Sequence, residues 1–380
     1  MKKFLLTALV MTYAVFTMSI AKAELSISGY QEFYGVSVDQ STAAGLSTAT
    51  NTHEARSGLS NGRFTRIIAT GSSTLDNGIE VTGVYAISKD GTASGDTDTN
   101  SVAVNENGLY FSGGFGSLGI GNIFSAGTMV HNRGTTMIPT AEPDNNAYGF
   151  YPVAGGATGG YGAFDEAGYA MDGMKIRFDS NVYEGFSGSI SYESCMAKDT
   201  GNASAANCNS GTIADYHDVI DFGIKYAGSF EGVDMSVTYG HTTGNTQISA
   251  GVIYNDYEAD TYSISVGVAG LNLIYRSLDA GDSGQAITTA NDGNQTGTTA
   301  AVTYSIGNFT VGYAAINTEI DYSTNTSTST MEENIFGIGY NLGGGVLLEA
   351  SHGSKEEVDG SDSLKDTEAD VSILKISFGF

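Results

Sequence analysis

A few residues in this sequence have the types and spacing for chemistry. Gly58-Leu59-Ser60-Asn61-Gly62 reads G-x-S-x-G, the pattern of a nucleophile elbow that exposes a serine hydroxyl at a sharp strand-to-helix turn. Here a loop precedes the motif and a strand pattern follows, so the helix that an elbow needs is missing and no catalytic role is expected. The histidines, His53, His131, His217, His241 and His352, are scattered over loops and strand edges without metal-ligand spacing. Asp96-Thr97-Asp98-Thr99-Asn100 resembles the opening of a calcium loop, yet it lacks the glycine at the sixth position and the closing glutamate. No metal or cofactor is expected beyond Ca2+ at acidic loops.

Where these residues stand depends on the elements that carry them. Lys2 and Lys3 precede an apolar run from Phe4 to Ile20, and Ala21-Lys22-Ala23 supplies an A-x-A site. That is the layout of a secretory signal peptide cleaved after Ala23, which leaves residues 24–380 as a single domain. A transmembrane anchor is the competing reading of the run; the cleavage site just before an alternating pattern argues against it. An exported chain meets an oxidising compartment, which favours a disulfide between Cys195 and Cys208, 13 positions apart. Closing so short a loop stabilises by roughly 3 kcal/mol in the chain-entropy account.

No other stretch is long and apolar enough to cross a membrane as a helix. A closed barrel is the other structure that satisfies every backbone polar group in lipid. The sequence alternates accordingly: Tyr262, Ile264, Val266 and Val268 interleave with Thr261, Ser263, Ser265 and Gly267, giving each strand one face for lipid and one for water. Strands fall near 24–38, 62–74, 79–88, 104–113, 117–124, 173–180, 185–195 and 217–228. The second half adds 232–242, 257–269, 271–279, 297–306, 309–318, 331–341, 345–354 and 368–380, sixteen in all. Short links such as Leu75-Asp76-Asn77-Gly78 and Gly307-Asn308 alternate strictly with long polar ones. Outer-membrane barrels have this asymmetry, with periplasmic turns and external loops.

Composition and charge narrow the function. The 52 Gly suit tight turns and lumen positions, while 22 Tyr and 17 Phe suit a membrane interface and exclude a disordered chain. With 16 Lys+Arg against 42 Asp+Glu, the net charge of −26 excludes nucleic-acid binding through phosphates. It favours a pathway for cations, or outer loops that bind divalent ions.

Three segments carry a family resemblance. Asn107-Gly108-Leu109-Tyr110-Phe111-Ser112-Gly113-Gly114-Phe115-Gly116-Ser117-Leu118-Gly119-Ile120-Gly121 is similar to the strand–turn–strand leading into the third loop of general bacterial porins, particularly the alphaproteobacterial type. Lys175-Ile176-Arg177-Phe178-Asp179-Ser180 followed by Glu184-Gly185-Phe186-Ser187 resembles the strand returning from that loop, and Ile376-Ser377-Phe378-Gly379-Phe380 resembles the family's C-terminal signature. With the strand count, the likeness spans the mature chain. It implies an all-β, sixteen-stranded antiparallel transmembrane barrel in the Gram-negative outer membrane, forming homotrimers. It also implies a third loop, at about 125–172, folded into the lumen to constrict the pore; an extracellular flap is the other reading of that loop.

The resemblance further implies a transverse field, with loop acids facing a basic wall. The loop offers Glu142, Asp144, Asp165, Glu166 and Asp172. Alternation turns Lys175 and Arg177 inward, since Met174, Ile176 and Phe178 face lipid, and Lys225 and Arg276 follow by the same argument. Arg63 and Arg66 match the family's basic second strand, but they differ in parity. On the last strand Leu374, Ile376, Phe378 and Phe380 face lipid, and the strand closes the barrel against the first. The family likeness makes this strand the signal read by the barrel-assembly machinery. The expected function is general diffusion of ions and small hydrophilic solutes with weak cation preference, in contact with lipid and lipopolysaccharide. A solute-specific channel and an outer-membrane barrel enzyme are the alternatives.

Overall fold

The computed structural model describes residues 24–42, 57–92, 103–131, 172–196, 216–246, 253–283, 293–322, 327–358 and 367–380. Its first eight strands are β1 (Glu24–Thr42), β2 (Ser57–Thr74), β3 (Glu80–Thr92), β4 (Ala103–Gly113), β5 (Gly116–Phe124), β6 (Asp172–Asp179), β7 (Phe186–Met196) and β8 (Tyr216–Phe230). The rest are β9 (Val233–Thr246), β10 (Tyr257–Val268), β11 (Leu271–Gly281), β12 (Gln295–Ile306), β13 (Phe309–Tyr322), β14 (Ser327–Gly343), β15 (Val346–Val358) and β16 (Thr367–Gly379). Each pairs antiparallel with its neighbours in sequence, and β1 pairs with β16, so the sheet closes without an edge. A one-turn helix, α1 (Ala126–Val130), follows β5.

Period-two alternation sets the two faces. On β10, Tyr262 and Ile264 are exposed while Thr261 and Ser263 are buried. On β16, Leu374, Ile376 and Phe378 are exposed while Ile373 and Lys375 are buried. The exposed face is thus apolar and the enclosed face largely polar, the reverse of a soluble domain and the arrangement a bilayer requires. Among the described residues no helix is long and apolar enough to cross a membrane; the crossing is made by strands.

The short turns take a strained form that fits the sheet. Glu231-Gly232 (φ 50° and 82°) and Ala269-Gly270 (φ 49° and 84°) have positive φ at both central positions, as the two-residue turns whose twist matches a hairpin demand. Gly345 meets a different constraint: a Cβ there would run into the carbonyl oxygen of Gly379, so the last turn can approach the last strand only because it lacks a side chain.

The expected strands are all present, and at the short-turn ends their limits agree within two residues. At the loop ends the strands run further: β1 reaches Thr42, β2 starts at Ser57, β13 reaches Tyr322 and β15 reaches Val358. The outward positions there are Asp39, Glu319 and Glu356. At β1 and β15 both faces are largely polar there, so the alternation that marks a strand disappears while its hydrogen bonds continue. The G-x-S-x-G segment lies inside β2, so no strand-to-helix turn exists there.

Candidate pore wall

The inner face is built from the residues opposite the exposed apolar ones. Lys175 and Arg177 on β6, Lys225 on β8 and Arg276 on β11 all take inward positions. The two arginines of β2 separate: Arg66 faces inward, whereas Arg63 stands on the outward face opposite Phe33. Arg63 is therefore corrected from a wall residue to an outer-face residue. Both faces of β2 carry apolar side chains here, inward Phe64 and Ile68 and outward Ile67, which hides the register in the sequence.

Three of these wall bases have a carboxylate beside them. Arg66 lies 3.7 Å from Glu106, which also accepts the Tyr110 hydroxyl at 2.9 Å. Lys175 Nζ is 3.1 Å from Glu193. Arg177 Nε donates to both oxygens of Asp179 (3.1 and 2.9 Å), its Nη1 donates to the Phe124 carbonyl at 2.7 Å, and the guanidinium stands 5.8 Å from the Tyr110 ring centre. Arg177 thus ties the end of β5 to β6, which a lysine with one charged nitrogen could not do.

Across the ring, β14, β15, β16 and β1 form the facing wall. There Lys375 Nζ lies 2.8 Å from Glu349 and 3.3 Å from Glu32, bridging three strands, and Lys355 Nζ lies 2.7 Å from Glu357. Register places Glu333 beside Lys355. This wall carries more acids than bases, whereas the resemblance implies a basic wall. The acids Glu32, Glu106, Glu193, Glu333, Glu349 and Glu357 were not among the sequence candidates. Their inward parity within alternating strands was the available signal.

Helix α1 lies against this inner face. The Ala126 N–H donates to Ser191 Oγ at 3.1 Å, and the Gly127 N–H donates to Asp221 Oδ2 at 2.5 Å. Thr242 donates its hydroxyl to the other oxygen of Asp221 at 2.9 Å. At the far end, His131 Nδ1 is 3.2 Å from Thr238 Oγ1. Ser125 caps the helix by accepting from Thr128 N–H. The chain that leaves β5 therefore turns to the interior side of the wall over residues 125–131.

Glu142, Asp144, Asp165, Glu166, Cys208, His53, Ala23 and the Asp96–Asn100 segment lie outside the described residues. Asp172 opens β6, and Cys195 stands near the end of β7. Among the described residues no group of three or more His, Cys, Asp or Glu side chains is placed to hold a metal ion. The outward face of the loop ends is rich in acids: Glu332, Glu356 and Glu368 are successive cross-strand neighbours, and Asp39 stands opposite Asp370.

The outward face also differs around the ring. On β8 and β9 it presents Ile220, Phe222, Ile224 and Tyr226, then Met235 and Val237. On β1 to β5 it presents Gly29, Gln31, Gly35, Thr65, Gly71, Gly83, Asn107 and Asn122 among its apolar residues.

Known proteins match this architecture. A family model described as Gram-negative porin matches residues 6–360. No curated protein sequence matches the chain. Among solved structures, a variant of the porin of Rhodopseudomonas blastica is similar at 15% identity and TM-score 0.52, covering 94% of this chain and all of that one. The outer-membrane channel DcaP of Acinetobacter baumannii (11% identity, TM-score 0.63) covers 94% of this chain and 97% of its own. An anion-selective porin from Comamonas acidovorans (12% identity, TM-score 0.63) covers 94% of this chain and 100% of its own. A closed sixteen-stranded barrel with an apolar exterior, a charged interior and a family match over nearly its whole length leads to one conclusion: the chain belongs to the Gram-negative porin family, the non-enzymatic barrels of the bacterial outer membrane.

Proposed function

We propose that the protein is a general diffusion porin with a weak preference for cations, passing ions and small hydrophilic solutes through a water-filled lumen. The pairing of wall bases carries this reading. Arg66, Lys175, Arg177, Lys355 and Lys375 each stand beside an acid, so they offer a passing anion little uncompensated charge. Low-dielectric walls focus whatever field remains, and acids along a pore favour cations. Glu142, Asp144, Asp165 and Glu166 then belong to a third loop folded into the lumen, adding to the acidic side, while Asp172, expected in that loop, begins the returning strand β6. Diffusion needs no cofactor and no turnover.

The working form is a homotrimer joined through the face of β1 to β5. Asparagine, glutamine and glycine facing outward at the depth of Leu109 and Ile120 suit a neighbouring subunit better than lipid. Residues 1–23 act as a removable leader, Cys195 and Cys208 form a disulfide in the link between β7 and β8, and the acidic rim meets lipopolysaccharide. The last strand is the segment offered to the assembly machinery.

Conductance in planar bilayers under a salt gradient tests the reading. Stepwise current with a reversal potential of cation sign is expected. A membrane that stays silent rejects the channel, and a reversal potential of anion sign rejects the cation preference.

A further inference from the structure

We infer that Asp221 is a positioning residue that latches α1 to the inner wall, making the helix a fixed ledge of the pore; the inference rests on the porin reading. The first N–H groups of any helix have no acceptor within it, and α1 is a single turn with little stability of its own. Two of those donors are satisfied from the wall, Ala126 by Ser191 and Gly127 by the Asp221 carboxylate. A charged acceptor makes the stronger kind of hydrogen bond. Asp221 is shielded from water, and Thr242 fixes its second oxygen. A carboxylate in such a place is unfavourable unless its hydrogen bonds are made, and α1 supplies one of them.

The wall is also shaped to receive the helix. A Cβ on Gly223 would collide with Val130, one on Gly240 would meet His131 Nε2 at 2.6 Å, and one on Gly127 would meet Asp221 Oδ2 at 3.0 Å. Missing side chains on α1, β8 and β9 therefore allow backbone contact at three points. The far end is held by His131 on Thr238, whose hydroxyl lies 2.5 Å from that of Ser263. Met129, on the free side of the helix, is 47% exposed. The ledge is held at both ends and along its back.

Single-channel recordings of the full mature chain test the latch. Asp221→Ala should still form a barrel, with the same electrophoretic shift on heating as the parent, while its open-channel current noise rises several-fold. Asp221→Asn keeps an acceptor for the Gly127 N–H and should restore most of the quiet. Gly223→Ala crowds Val130 while leaving Asp221 intact, and should reproduce the noise; it carries the test if Asp221→Ala fails to assemble. Parent-like noise in Asp221→Ala or Gly223→Ala, or equal noise in Asp221→Asn and Asp221→Ala, overturns the latch. Failure of the porin reading would appear separately, as absence of current in the parent protein.

Discussion

Asn107 on β4 and Asn122 on β5 stand directly opposite each other on the outward face, bordered on that face by Leu109 and Ile120. Two amides at that depth are costly against hydrocarbon and useful against another protein surface. Asn107→Trp should therefore convert the proposed trimer to monomers on native electrophoresis. The control is Ile264→Trp on β10, whose outward position lies away from that face. Equal behaviour of the two variants would contradict the proposed interface.

Lys375 bridges Glu32 and Glu349 across three strands. Lys375→Met should leave two carboxylates facing each other. A dry broken pair costs about 3–5 kcal/mol; pore water screens this one, so a loss of roughly 2–3 kcal/mol is expected in urea titrations of the folded barrel. Adding Glu32→Gln and Glu349→Gln should recover most of it.

Arg177 makes contacts that a lysine cannot reproduce together: both oxygens of Asp179, the Phe124 carbonyl and the Tyr110 face. Arg177→Gln removes the charge while retaining a donor. The reversal potential should move further in the cation direction: one kT of local potential favours cations and disfavours anions about 3-fold each, roughly 7-fold in permeability ratio. An unchanged reversal potential would mean that the Arg177–Asp179 pair contributes nothing to the pore field.

Ala269 sits at φ 49° in a two-residue turn. Left-handed backbone costs an alanine roughly 1 kcal/mol, and asparagine or glycine less. Ala269→Asn should raise the urea midpoint by an amount equivalent to about 0.5–1 kcal/mol, with conductance unchanged. Ala269→Val should lower it.

The strands were legible because lipid imposes alternation wherever it touches the barrel. Leu271, Leu273 and Tyr275 against Asn272, Ile274 and Arg276 are enough to place β11 and to turn Arg276 inward. The same logic failed at Arg63, where apolar residues occupy both faces of β2. It also shortened the loop ends of β1 and β15, where polar residues do. Ion pairs such as Lys375 with Glu32 join residues 343 positions apart, and no local pattern announces them. Helix α1 is five residues long, too short for a helical period, and its anchor Asp221 looks in the sequence like any inward polar residue. The acids of the far wall share the inward parity of the serines and threonines around them, and the family likeness implies bases there.

The seam between β1 and β16 gives the barrel an unusual folding arithmetic. Every other strand pairing joins neighbours in the chain, but the seam brings together positions such as Phe33 and Ile376. Logarithmic loop entropy makes joining two such distant points about 3 kcal/mol costlier than closing a ~10-residue hairpin. Fifteen pairings can thus form cheaply and separately, while the sixteenth must wait for the whole chain. A nascent or truncated copy can be nearly all sheet and still be an open ribbon with two sticky borders. Lys375 spans that last junction between Glu32 and Glu349, where a slip of one residue would turn its charge out toward the lipid. Closure and register are thus coupled at the seam: a ring closed one residue out would carry that charge on its lipid face.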